Sequence, residues 1–133
     1  MPYPELLLTT AGALHFLQIP STSHLARRML KLSPDLAKLT PINGRIVRIF
    51  VAATSLLILG LGLTVVCYAK DVASTPLGRT LSTLLAVFWS ARVAAQIWLH
   101  PVWPRDAQGR FWYFALLGVY LTLAFSYAGA SLC

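Results

Sequence analysis

From Ile49 to Ala69 the chain reads IFVAATSLLILGLGLTVVCYA, without one charged residue. As a helix this stretch is about 30 Å long, the thickness of a bilayer's hydrocarbon core. In lipid the backbone must satisfy its own hydrogen bonds, which confines such a segment to helix. Pro76–Trp103 and Phe111–Leu132 have the same character, and Pro4–Pro20 is a shorter run of the same kind. The expected fold is therefore all-α, an integral membrane four-helix bundle forming a single domain. Its spans are expected at about residues 4–20, 46–69, 77–100 and 111–132. Hydrophobic residues make up 57% of the 133 and charged residues 11%, a balance that a soluble fold of this size cannot hide.

Proline and its preceding residue mark where helices begin. Thr40-Pro41 opens the second span and Thr75-Pro76 the third, while Pro101 and Pro104 stop the third. Ser33-Pro34-Asp35 is a further start signal, predicting a short interfacial helix over Pro34–Leu39 in the first loop. The first span is short, so its helix is expected to run past Pro20. With Glu5 where a basic n-region would stand, the first span does not resemble a cleaved signal and is expected to be retained.

Charge sets the expected orientation. The first and third loops with adjacent helix ends hold Arg27, Arg28, Lys31, Lys38, Arg45, Arg48, Arg105 and Arg110, whereas the opposite side holds only Lys70 and Arg79. The positive-inside rule then puts residues 21–45 in the cytoplasm and both termini outside. The net charge of +7 is explained by these flanking residues, and no nucleic-acid-binding pattern accompanies it. Cys67 and Cys133 both fall near the outer surface and are expected to be free thiols.

Small residues predict which spans pair. Ser82, Ala86, Ser90 and Ala94 recur every fourth residue in the third span, and Gly118, Thr122, Ser126 and Ala130 do so in the fourth. Folded back about the 101–110 loop, the two stripes come level, Ala94 with Gly118 and Ser82 with Ala130. This predicts a close hairpin in which Ser90 faces Thr122.

Arg92 lies near the middle of the third span, and that segment holds no acid to pair with it. On a helix Trp89, Arg92, Gln96 and His100 share one face, about a quarter-turn from the small-residue stripe. That face is expected to look at the first or second helix, where His15 and Gln18 lie at the same level. An arginine near a helix centre costs on the order of 2.5–3.5 kcal/mol. Either an anionic head group offsets that cost or Arg92 snorkels to the head groups. The ligand-binding candidates are Arg92, Gln96, His100, His15, Gln18 and Trp89.

No metal site is expected, because no HxxxH, ExxH or Cys/His spacing is present. No cofactor is expected either; the alternative is a b-type haem held between His15 and His100. The acids are Glu5, Asp35, Asp71 and Asp106, all at span ends or in loops, so no catalytic constellation is visible. The expected role is that of a non-enzymatic accessory protein binding a lipid or amphiphile, with membrane lipid, another membrane protein or a second copy as partner. Nucleic acid is not among the expected partners.

Two stretches, LAKLTPINGRIVRIF (Leu36–Phe50) and AVFWSARVAAQIWLHPVWPRDAQGRFW (Ala86–Trp112), carry a resemblance. Together they resemble a family of small uncharacterised bacterial four-span integral membrane proteins. That resemblance implies the bacterial inner (plasma) membrane and implies no particular activity.

Overall fold

A computed structural model describes residues 3–24 and 32–132. Among them every regular element is helical. The helices are α1 (Tyr3–His24), α2 (Leu32–Ala37), α3 (Pro41–Cys67), α4 (Ala69–Ser74), α5 (Pro76–Leu99) and α6 (Ala107–Leu132), with a 3-10 turn at His100–Val102. Three segments are long and apolar enough to cross a membrane: Pro41–Cys67, Pro76–Val102 and Ala107–Leu132.

The helix ends follow local chemistry. Thr75 caps α5, its hydroxyl oxygen accepting from Gly78 N–H at 3.0 Å, with Pro76 at the first turn. Thr40 precedes Pro41 at the start of α3 but makes no side-chain cap bond. Asp106 receives Gly109 N–H at 2.7 Å and so caps α6. Pro20 lies inside α1, which continues to His24. Lys70 and Asp71 belong to the short α4, whose Val72 is buried. Cys67 is exposed and makes no disulfide among the described residues, and Cys133, like Arg27, Arg28 and Lys31, lies outside them.

The most extensive pairing is α5 with α6, followed by α1 with α3 and α1 with α6. The helices are thus ordered α3, α1, α6, α5, with α1 and α6 between the outer two. On α6 the buried positions Gly109, Tyr113, Leu116, Tyr120, Leu123, Tyr127 and Ala130 advance by alternate steps of four and three. On α5 Gly78, Ser82, Leu85, Trp89 and Gln96 follow the same seven-residue rhythm, and on α1 so do Leu8, Ala11, His15 and Gln18. These rows of buried residues form the seam along which the helices pack.

The small-residue stripes obey a different period, and this corrects the expected hairpin face. A residue every four winds about 40° around the helix at each step. Ser82 is therefore on the seam and Ala86 half-buried, while Ser90 and Ala94 have rotated out to exposure. On α6 Ala130 and Ser126 are buried, and Thr122 and Gly118 are exposed. The two stripes meet the seam at one end only, and large side chains fill the rest. The pairing of α5 with α6 stands; the close contact of Ser90 with Thr122 does not.

A glycine also sets the approach of α3 to α1. A Cβ on Gly62 would lie 2.9 Å from His15 Cβ and 3.3 Å from Gly12 O, so only glycine permits this approach. Gly60, two residues earlier, has open space around it.

Candidate functional site: a lateral cleft floored by aromatic rings

The α1–α3 contact holds one half of α3. In the other half, a cleft of ≈ 400 Å³ separates α3 from α5. Phe50, Val51, Thr54, Ser55 and Ile58, one face of α3, form one wall, and Phe88, Trp89 and Arg92 of α5 line the other. Gln18 and Ile19 of α1 and Tyr120 of α6 complete the lining. The volume falls within the range of small-molecule sites, and the lining is mostly apolar with a few polar groups, as in such sites.

Arg92 is held from α6. Its Nη2 donates to Tyr120 Oη at 3.0 Å, and its guanidinium lies 5.1 Å from the centroid of the same ring. The register that levels Ala94 with Gly118 also levels Arg92 with Tyr120. The axial alignment of the hairpin was therefore legible, and only the rotation of its faces was not. Tyr120, missed as a site residue, could have been found by applying that register to Arg92. Among the described residues the one ion pair is Lys38–Asp35, so Arg92 has a phenol and a ring face but no carboxylate.

Behind the arginine sits a buried aromatic layer. Trp89 stacks on Tyr120 with centroids 5.6 Å apart and meets His15 edge-on at 5.3 Å. His15 meets Tyr127 at 5.9 Å. His15 Nδ1–H donates to Ala11 O at 2.7 Å, the tautomer that leaves Nε2 as a bare acceptor. That Nε2, Gln18 Nε2, Trp89 Nε1, Gln96 Nε2, Ser82 Oγ and Tyr127 Oη are buried without a hydrogen-bond partner among the described residues. Polar atoms left so in a protein interior call for a water or a ligand.

The candidate residues thus divide. Trp89, Arg92 and Gln18 line the cleft, and His15 lies directly behind Trp89. Gln96 is buried outside the cleft lining, and His100 is exposed against Tyr113, with ring centroids 5.0 Å apart. The polar face looks toward α1 as expected, where Trp89 meets His15, and it rests on α6 as well, with Trp89 and Arg92 against Tyr120 and His100 against Tyr113. His15 and His100 are not brought together. His15 touches Trp89, eleven residues before His100 and so about 16 Å along α5, and one iron cannot bridge that gap. Among the described residues no group of three or more His, Cys, Asp or Glu is placed to hold a metal ion.

Comparison with known proteins finds no matching family model, no matching curated protein and no matching solved structure.

Proposed function

We propose that this chain is a four-span protein of the bacterial inner membrane that binds an anionic amphiphile in the α3–α5 cleft. The observation that carries the reading is Arg92, at an apolar cleft, fixed by Tyr120 and without a carboxylate. A carboxylate or phosphate head would supply the missing charge through a charge-assisted pair. The tail would lie along Phe50, Val51, Ile58 and Phe88.

In this reading α1 crosses the membrane with the other three. It is about 33 Å long at 22 residues and packs between α3 and α6. Its polar His15 and Gln18 are buried against neighbouring helices, which spares them contact with lipid. The short α2 lies at the cytoplasmic surface, and both termini face outward, as the charge distribution favours. The role is binding and accessory, without catalysis: Asp35 pairs with Lys38 and Asp106 caps α6, while Glu5 and Asp71 stand in first turns of α1 and α4.

Native mass spectrometry of protein released from mild detergent tests this. The wild type is expected to retain an amphiphile that Arg92→Gln loses, while the variant still inserts and folds. Equal ligand content in the two proteins, with Arg92→Gln the more stable, would leave Arg92 as a snorkelling residue and end the proposal.

A further inference from the structure

A second recess lies where α5 gives way to α6. Its volume is ≈ 260 Å³, and it is lined by His100, Trp103, Pro104, Arg105, Arg110, Tyr113 and Phe114. Two guanidinium groups and an imidazole therefore line one recess that has no carboxylate in its lining. The nearest acid in sequence, Asp106, accepts Gly109 N–H at 2.7 Å, and neither arginine is ion-paired among the described residues.

The recess is built on a fixed turn. Trp103 Nε1–H donates to Gly109 O at 2.8 Å, tying the two ends of the connection together. Gly109 is buried, and a Cβ there would press on the carbonyl of Pro104. Trp103 and His100 both pack edge-on against Tyr113, with centroids 5.9 Å and 5.0 Å apart. These contacts hold Trp103 and Tyr113 in place, and the long, exposed Arg105 and Arg110 side chains are left to close on a ligand. Tryptophan and tyrosine at a span end mark the level of lipid head groups. Like-charged arginines held about one recess are best satisfied by an oxyanion.

We infer that this recess is a head-group site for an anionic phospholipid. Arg105 and Arg110 take its phosphate, and Trp103, Tyr113 and Phe114 take the glycerol and upper acyl chain. It is separate from the α3–α5 cleft and shares no lining residue with it.

The test is lipid titration by native mass spectrometry in an Arg92→Gln background, so that the cleft contributes least. Phosphatidylglycerol is expected to bind more tightly than phosphatidylcholine. Its affinity should fall by roughly tenfold in Arg105→Gln/Arg110→Gln, with phosphatidylcholine unchanged and the wild-type preference kept in Arg105→Lys/Arg110→Lys. Equal binding of the two lipids, or undiminished phosphatidylglycerol binding in the Gln/Gln protein, overturns the inference. So does displacement of the lipid by inorganic phosphate alone, which would make the recess a free-phosphate site.

Discussion

α3 and α5 both pack along α1 or α6, yet they do so in different ways. α5 lies on α6 over most of its length, with a buried residue at nearly every turn of the seam. α3 buries only Gly44, Gly62 and Val65. Its contact with α1 is close at Gly62, where the absence of a side chain lets the backbones approach. Toward its start the face carrying Phe50, Val51 and Ile58 stands off from Phe88 and Trp89, and the cleft opens there. In lipid, apolar surface alone does not draw helices together, so shape decides the contact. A helix with one glycine contact and bulky residues below it is pinned at one end and open at the other. The cleft follows from that difference.

The comparison can be broken most severely at the shared floor. Trp89→Ala removes the ring that touches His15 and Tyr120, and its loss is expected to cost about 3–5 kcal/mol in thermal or denaturant unfolding. A loss below about 1 kcal/mol would mean the aromatic layer does not hold α1, α5 and α6 together. Next in size is Gly62→Val, which drives a side chain into His15 and is expected to cost about 1–3 kcal/mol. Gly60→Val, in open space, should be near neutral, and equal effects at the two positions would remove the pinning of α3. Smallest is Ser90→Leu, expected within about 0.5 kcal/mol of wild type because Ser90 is exposed. Ser82→Leu, on the buried seam, should destabilise by about 1–3 kcal/mol. Reversal of that order would restore the small-residue stripe as the packing face.

What was legible in the sequence was set by local chemistry. The helix start at Thr75-Pro76 depends on neighbouring residues, and the structure has it there. The axial register of α5 with α6 was also readable, because it needs only the helix rise and the turn position. The rotation of each helix was not. It depends on which period governs the contact: four-residue and seven-residue patterns both start from Ser82, and by Ala94 the four-residue stripe has turned about 120° from Ser82. The cleft was not readable either, since it is set by what α3 fails to touch. Arg92, Trp89 and Gln18 stood out as polar or amphipathic groups in apolar runs, whereas Phe50 and Ile58 looked like any lipid-facing residues.

If an anionic amphiphile occupies the α3–α5 cleft with its head at Arg92, as proposed, Trp89 provides the most direct reporter. The measurement is quenching of tryptophan fluorescence by an anionic amphiphile brominated on its tail, with the Trp89 contribution taken as the difference between wild type and Trp89→Phe. Saturable quenching of Trp89 is expected, lost in Arg92→Gln and weak with a zwitterionic analogue. Quenching of Trp89 that is unchanged by Arg92→Gln, or equal for the anionic and zwitterionic compounds, would contradict it.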